Sequence, residues 1–306
     1  MFRNIFIIFF VFASLATTYA QANLLNAIKA DQIGKKTPQQ IAVDKTGPLP
    51  YGYVADRDVL WSTVVWEDID FTQKFNFPYH FPKDSSIASV PVDRRSLYDN
   101  IMKAIQKDEI KNYYGDSELI EKFTKTEVIG TTKKRVTTEY GDDYDEEEDG
   151  PKQESTVVSI LNQEVTGLRI KGIWYFDKRQ GELKYRLLAL APLGPDIGLK
   201  NEGSAVTEEA GIDIKAIIPM FWIYYPEARD VLHKAKVFNP DNAAHPISFD
   251  HLLNSRRFHS FILRQENVYG NRAIGDYIKK NSLFQLLESD RIKEEIRNKE
   301  IDMWNY

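Results

Sequence analysis

The clearest alternation of hydrophobic and polar positions lies in the middle of the chain. Residues 165–176 and 183–191 are rich in β-branched and aromatic side chains, and the turn-forming sequence DKRQGE separates them. This pattern predicts an antiparallel hairpin. Residues 124–138, 156–160 and 212–225 have a similar composition and predict further strands.

Helical spacing is found on both sides of this strand region. Leu97, Ile101 and Ile105 recur four residues apart, so they share the inner face of a helix that Asp93 would cap. Pro226 suits the first turn of another helix, which would run to about residue 236. Further helices are predicted at residues 116–123, 248–257, 271–280 and 282–299. Strands in the middle, with helices before and after them, predict an α+β fold with a central antiparallel or mixed sheet.

The most unusual segment is residues 48–82, which contain two tryptophans, three tyrosines, four phenylalanines and four prolines. Rings at this density are normally packed, either in a core or against another protein. A helix is predicted to begin near residues 53–56, because apolar residues recur there at helical spacing. One of its faces carries Leu60, Trp61, Val64 and Val65, and the opposite face carries Val59 and Trp66. Residues 75–82 are too rich in proline for a helix or a central strand.

The first twenty residues have the pattern of a secretory signal peptide. Arg3 precedes an apolar run, and the sequence TYA forms a small-residue cleavage site, so we expect cleavage after Ala20. The chain contains no cysteine, so disulfides, thiolate metal sites and lipidation at that junction are not expected. We expect residues 21–49 to be an extended lead-in to the folded domain.

Negative charge is concentrated in one tract. The chain has a net charge of −5, and residues 139–149 (EYGDDYDEEED) contain eight acids and no base. The rest of the chain is close to neutral, which gives no indication of a nucleic-acid surface. A segment starting at Asp145 does not match an EF-hand calcium loop, because Thr156 occupies the position of the bidentate glutamate. We expect residues 50–306 to form a single α+β domain in which residues 139–152 are a disordered, solvated loop.

The sequence contains no recognisable catalytic or metal-binding pattern. The five histidines match neither HExxH nor another compact ligand spacing. A GxSxG motif is absent, and the many carboxylates form no recognisable pair. We therefore predict no catalytic, cofactor-binding or metal-binding residues, and a protein that is not an enzyme.

Rigid aromatic rings and paired arginines are the candidate partner-binding residues. Each of the pairs Arg94-Arg95 and Arg256-Arg257 stands near a predicted helix start or between a helix and the next segment, where exposed charges are ordinary. Arginine forks nevertheless suit carboxylates or phosphates of a partner. The candidates for partner contact are Val59, Trp61, Trp66, Tyr79, Arg94 and Arg95.

A short internal echo raises the question of a duplicated unit. The sequence RDVL occurs at residues 57–60 and again at 229–232, and an Arg-Arg pair follows each copy at a different distance. The echo is either chance or the trace of a repeat that would place related helical caps on both sides of the sheet.

Long strings at both ends of the chain resemble a known family. Residues 47–71 (GPLPYGYVADRDVLWSTVVWEDIDF), 76–82 (NFPYHFP) and 93–110 (DRRSLYDNIMKAIQKDEI) resemble the GldN/PorN family of gliding motility and type IX secretion proteins of Bacteroidetes. Residues 249–258 and 266–277 (ENVYGNRAIGDY) are similar to the same family. The acidic tract lies outside these strings, so the resemblance implies nothing about its role.

The resemblance implies an exported periplasmic structural subunit without enzymatic activity. Such a subunit would bind an outer-membrane lipoprotein of the GldK/PorK type and associate with itself and that lipoprotein in a large ring. The ring would connect to motor components of the GldL/GldM type. The subunit would need no cofactor, bind no nucleic acid and not span the membrane itself.

Two other classes of function stay open on the residues alone. An exported cell-wall or polysaccharide hydrolase would need a deep pocket with two facing carboxylates. A carbohydrate- or peptidoglycan-binding module would need a shallow groove lined by coplanar rings.

Overall fold

An antiparallel sheet lies at the centre of the computed structural model, which describes residues 47–83, 95–139, 153–197, 217–237, 239 and 247–303. The strands are β1 (Val59–Asp70), β2 (Tyr113–Tyr114), β3 (Lys122–Phe123), β4 (Lys133–Glu139), β5 (Gln153–Ser159), β6 (Gly167–Asp177), β7 (Glu182–Pro195), β8 (Ile217–Pro219), β9 (Trp222–Tyr224), β10 (Lys236–Val237), β11 (Ile247–Ser248) and β12 (Phe261–Gln265). The helices are α1 (Phe77–His80), α2 (Leu97–Gln106), α3 (Lys125–Thr132), α4 (Tyr225–Lys234), α5 (Phe249–Asn254), α6 (Ile274–Tyr277) and α7 (Ser282–Met303). Short 3₁₀ turns occur at Asp56–Asp58, Lys74–Asn76 and Asn162–Glu164.

The main sheet has eight strands in the order β12-β1-β6-β7-β9-β2-β3, with β8 paired to β7. Each pair of neighbours runs antiparallel. Two further two-stranded sheets are β4-β5 and β10-β11. Helices lie before and after the long strands β6 and β7, so the predicted α+β fold with a central antiparallel sheet is confirmed.

All of these elements belong to one compact unit, which comprises Pro48–Phe238 and Ile247–Tyr306. A second unit, Met1–Gly47 with Asn239–Pro246, lies almost wholly outside the described residues. The predicted signal peptide, most of the lead-in and most of the acidic loop lie outside them as well.

The β6–β7 hairpin forms as its alternation predicts. Its register runs from Asp177 opposite Glu182 to Gly167 opposite Leu193. Gly181 in the turn has φ +64°, a left-handed conformation that costs glycine little because it has no Cβ. The hairpin prediction is therefore confirmed, including the position of its turn.

The segment that follows the 3₁₀ turn at Asp56–Asp58 is the strand β1, so the helix predicted there is wrong. β1 pairs with β12 on one edge and with β6 on the other. Val65 packs in a cluster with residues of α7, whereas its neighbour Trp66 packs in a different cluster with Trp222. A strand covered on both faces loses the alternation of hydrophobic and polar residues. Its apolar residues therefore match helical spacing by coincidence.

Between residues 116 and 138, one prediction is wrong and another is wrong only in its first half. Asp116 does not start a helix, because its carboxylate accepts hydrogen bonds from the backbone N–H groups of Glu118, Ile120 and Glu121 and closes a turn. The strand predicted at residues 124–138 is wrong over Lys125–Thr132, which form helix α3, and is confirmed over residues 133–138, which lie in β4. Thr124 and Glu127 form a reciprocal capping box, which favours a helix over the β propensity of the threonines that follow.

Several helix predictions hold in the described part of the chain. Leu97, Ile101 and Ile105 of α2 are all buried, as their spacing predicts. The capping residue in the structure is Ser96, whose hydroxyl accepts from the Asp99 N–H at 3.2 Å, and the predicted cap Asp93 lies outside the described residues. Ser248 caps α5 as predicted. The predicted strand at residues 212–225 is two short strands, β8 and β9, where it is described.

The two RDVL copies adopt unrelated structures. Residues 57–60 pass from a 3₁₀ turn into β1, whereas residues 229–232 lie inside α4. The hypothesis of a duplicated unit is therefore wrong, and the repeated RDVL sequence is a coincidence.

The largest core cluster packs residues of five helices, α1 to α5, against the sheet. Its sheet side includes Ile69, Leu168, Ile170, Leu187 and Leu190 from β1, β6 and β7. Its helical side includes Leu97, Ile101 and Ile105 of α2, Ala228 and Leu232 of α4, and Leu252 and Leu253 of α5. A smaller cluster holds α7 against the other end of β1 and β12, through Val65, Ile262, Ile274, Ile292 and Ile296. These contacts bury one face of α7 and leave the rest of that helix outside the core.

Candidate functional site

Trp66 lies inside the protein, with 3% of its surface exposed. Two cations flank its ring: the Arg264 guanidinium carbon lies 3.8 Å from the ring centroid, and the Lys171 Nζ lies 4.9 Å from it. Glu118 pairs with both cations, at 3.3 Å to Arg264 and 2.6 Å to Lys171. Trp66 therefore helps to hold the turn around Glu118 against the sheet, and its ring is not offered to a partner in this conformation.

Trp61 and Val59 are half-buried near the start of β1. Trp61 packs against the cluster that holds α7, whose members include Val65 and Ile292. Val59 pairs with Asp177 of β6. The structure thus places these two candidates near each other, but at the opposite end of β1 from the loop that carries Tyr79.

Residues 75–82 present three rings and bury a fourth. Tyr79 has no exposed surface, and its hydroxyl donates to the Arg257 carbonyl oxygen at 3.2 Å. Phe75, Phe77 and Phe81 are all exposed, and the rings of the last two meet edge to face with centroids 5.1 Å apart. The side chains available to a partner here are therefore the three phenylalanines.

The arginine candidates are only partly described. Arg95 lies just before α2, with its Nε 3.6 Å from the Asp99 carboxylate. Arg94 lies outside the described residues.

A second pair of arginines, which the sequence also singled out, contributes a buried ion pair. Arg256 donates to both carboxylate oxygens of Glu67, at 3.1 and 2.8 Å, and Glu67 is 1% exposed. The Ser260 hydroxyl donates to the same carboxylate. The Arg256 guanidinium also faces three rings, with its carbon 4.1 Å from the centroid of Tyr185, 4.9 Å from that of Trp174 and 5.0 Å from that of Phe258. Burial by itself would lower the pKa of Arg256, but the Glu67 carboxylate outweighs it and raises that pKa.

A similar network joins α4 to α5. Arg229 pairs with Asp250, with Nε–Oδ1 and Nη2–Oδ2 distances of 2.9 and 3.3 Å. The Tyr225 hydroxyl donates to the same carboxylate at 2.7 Å, and Asn254 donates to it at 3.0 Å. Burial and the nearby Asp250 charge raise the pKa of Tyr225, so its hydroxyl keeps its proton. Both buried carboxylates are thus fully engaged in holding elements together.

The described residues hold no group of three His, Asp or Glu side chains that could bind a metal ion. The carboxylates of the two buried networks, Glu67 and Asp250, both have arginine partners. These observations give no geometric support to a hydrolase site in the described part of the chain.

An exposed apolar surface that sequence reasoning missed lies on α6 and the first half of α7. We call it the α7 patch, and it comprises Tyr277, Leu283, Phe284, Leu286 and Leu287. Their exposed fractions lie between 41% and 62%. An open groove of about 570 Å³ runs beside the patch, and Lys279, Glu288 and Arg291 line its polar edge. Rings and leucines with a charged rim are typical of a surface that meets another protein.

Helical geometry explains why the α7 patch is unpaired. At about 100° per residue, Leu283 and Leu287 lie on the side of α7 opposite Ile292 and Ile296, which face the core. The sequence of α7 could have indicated this surface, because its apolar residues occupy two faces of the helix and the domain's own core covers only one of them.

Among the described helices, none is long and apolar enough to cross a membrane. A search of curated protein sequences finds no match to the chain. The family model described as gliding motility associated protein GldN matches residues 54–305. This match spans β1, the whole central sheet and α7, including both ends that carry the long strings noted in the sequence. The chain therefore belongs to the GldN family, whose members are components of the gliding motility and type IX secretion machinery.

Proposed function

We propose that the chain is a non-enzymatic periplasmic subunit that forms a ring with an outer-membrane lipoprotein of the GldK/PorK type. The family match over residues 54–305 is the observation that carries this proposal. In this role the subunit reaches the periplasm through the signal peptide at residues 1–20. It remains at the outer membrane through its lipoprotein partner, and it connects to motor components of the GldL/GldM type.

The α7 patch supports a role in assembly. Exposed rings and leucines contribute to binding when a partner covers them and removes them from water, and such residues often dominate the affinity of an interface. Four of the candidates predicted from the sequence would then act indirectly, by stabilising the fold that carries the contact surface: Val59, Trp61, Trp66 and Tyr79. Arg94 and Arg95 stay candidates for direct contact.

The experiment is reconstitution of the mature chain with the purified lipoprotein, followed by size-exclusion chromatography with light scattering. We expect a monomer or small oligomer alone and a complex of much higher mass with the lipoprotein. Failure of the two proteins to associate would contradict the ring proposal.

A matched pair of variants tests the surface separately. Phe284→Ser with Leu287→Ser should weaken the association by at least about tenfold, because it removes two anchors from the α7 patch. Ile301→Ser, on the same helix but distant from the patch, should leave it unchanged. Equal assembly by all three proteins would exclude the α7 patch as the contact while leaving the ring intact.

A further inference from the structure

A basic cleft lies between residues 51–54 and the β6–β7 hairpin. Its volume is about 310 Å³, and its walls include Tyr51, Tyr53, Tyr175, Arg179, Lys184 and Arg186. Among the described strands, none pairs with the outer edge of β7 along this half, since β7 pairs with β9 only at Ala189 and Leu190 and with β8 further on. The segment carrying Tyr51 therefore lies beside the hairpin without pairing to it as a strand.

Arg186 is held in place at the centre of this cleft. Its guanidinium carbon lies 4.8 Å from the centroid of the Tyr51 ring and 5.7 Å from that of Tyr175. Its Nη2 donates to the Gly52 carbonyl oxygen at 2.9 Å. These contacts fix the plane of the guanidinium, so little side-chain entropy is lost when a ligand binds it.

Arg186 forms no ion pair with any carboxylate in the described part of the chain. Arginine has five N–H donors, and the bond to Gly52 uses one of them. Tyrosine rings and a backbone carbonyl orient a cation but do not neutralise it. The geometry therefore leaves a positive fork with free donors at a half-buried position.

The neighbouring charges leave the cleft positive. Arg179 lies 3.2 Å from Asp58 and 3.5 Å from Asp177, and Lys184 lies 3.8 Å from Asp177. Lys184 also lies 4.0 Å from Glu182, so three carboxylates pair with Arg179 and Lys184, and none of them pairs with Arg186. Of the charged residues that line the cleft, one is an acid, Asp177, and three are bases, Arg179, Lys184 and Arg186. A net positive, partly enclosed site attracts an anionic group more strongly than an exposed lysine does.

We propose that this cleft binds a carboxylate of an acidic peptide segment of a partner protein, with Arg186 as the anchoring residue. The guanidinium fork matches the two oxygens of a carboxylate, and the exposed ring of Tyr53 offers flat apolar surface to the stem that carries it. The cleft is at the small end of the range for small-molecule pockets, which suits one or two side chains. Phosphate shares the oxyanion chemistry, and the test must separate the two.

The probe is a fluorescein-labelled peptide of six glutamates, titrated with the purified full chain and followed by anisotropy. A peptide of six glutamines is the uncharged control and should not bind. Arg186→Gln should weaken binding of the glutamate peptide by at least about tenfold, since it removes one partner of a half-buried charge pair. Arg297→Gln, an equal change of charge at an exposed position of α7, should leave the affinity within about twofold.

Two results would overturn the proposal. Equal losses with Arg186→Gln and Arg297→Gln would show that only the overall charge matters. Inorganic phosphate that displaces the peptide when added at the same concentration would assign the site to phosphate instead.

Melting curves check the fold of each variant. Lys184→Gln, on the hairpin arm, supplies a second test that leaves the contacts of Arg186 with Tyr51 and Gly52 intact, and it should also weaken binding.

The proposal goes beyond ring formation and can fail separately from it. A chain that assembles with its lipoprotein but ignores the glutamate peptide would refute this inference and retain the proposed function.

Discussion

Replacing Arg256 with methionine should destabilise the protein strongly, because it leaves the buried carboxylate of Glu67 without its charge partner. Methionine keeps most of the apolar stem, and its thioether can still contact the rings of Trp174 and Tyr185. The lost free energy therefore reports mainly on the ion pair.

The structure indicates the size of the effect. Removing one partner of a buried pair costs about 3–5 kcal/mol of unfolding free energy, because the remaining charge stays out of water. Glu67 is 1% exposed, but Ser260 continues to donate to its carboxylate after the substitution. We therefore expect a loss near the lower limit, about 3 kcal/mol for Arg256→Met.

Urea unfolding at pH 7, with linear extrapolation to water, measures this loss. The matched control is Arg291→Met on α7, whose side chain is 59% exposed and pairs with Glu288 and Glu295. An exposed pair of this kind contributes about 0–1 kcal/mol, so the control should be close to wild type.

The double variant Glu67→Met with Arg256→Met tests the reasoning itself. An apolar pair of similar volume removes the unpaired charge, so the double variant should be more stable than Arg256→Met alone. The account is refuted if Arg256→Met costs less than about 1 kcal/mol, or if the double variant loses the sum of the two single losses.

Three further changes have expected outcomes, all measured by urea unfolding. Gly172→Ala should cost about 1–3 kcal/mol, because a Cβ at this position would overlap the Tyr185 ring; wild-type stability would contradict this packing. Burial, assisted by a nearby lysine, lowers the pKa of His80 to about 4, below the value near 6.5 of an unfolded histidine. The unfolded state then binds the proton first, so the stability from neutral His80 is present above about pH 6.5 and is lost as the pH falls toward 4. At pH 5 this loss is on the order of 2 kcal/mol. His80→Gln should remove that pH dependence, whereas His251→Gln, at an exposed position, should retain it. If the unfolding free energies of both variants change equally with pH, the assignment to His80 is refuted. Thr124→Ala should cost about 1 kcal/mol through loss of the cap of α3, and a change below about 0.3 kcal/mol would show that the cap contributes little.

Local patterns in the sequence were reliable where one face of an element meets water. The β6–β7 hairpin has alternating residues and a turn that contains a glycine, and both features act within a few residues of each other. The α2 helix has a single apolar stripe, and that stripe is the face that packs on the sheet. The capping box of α3 was equally local, and it was missed because threonine and valine suggested a strand.

The strand β1 is buried on both faces, so its sequence lacks the alternation of hydrophobic and polar residues from which a strand would be predicted. Glu67 and Asp68 are charged residues within this strand, and each is buried against an arginine that is distant in sequence. Arg256 pairs with Glu67, and Arg169 pairs with Asp68 through two hydrogen bonds of 2.7 and 2.9 Å. The sequence of β1 contains no pattern that identifies these ion-pair partners on other elements.

The candidate contact residues illustrate the same limit. Aromatic residues indicate that something must cover them, but composition does not say whether the protein's own core or another protein does so. Trp66 and Tyr79 are covered by their own domain, whereas Phe284 and Leu287 are not. Only the packing of α7, which turns Ile292 and Ile296 inward, shows which rings remain exposed.

The sequence by itself determined the family, the α+β class, the hairpin and the main helices, because these depend on long matched strings and on short-range periodicity. The tertiary structure decided the identity of β1, the burial of the predicted contact residues and the position of the α7 patch and the basic cleft. These features arise from contacts between residues about a hundred or more positions apart in several cases, such as Glu67 with Arg256 and Tyr51 with Arg186. A linear pattern carries no information on such pairs, since their energies exist only once the sheet has brought them together.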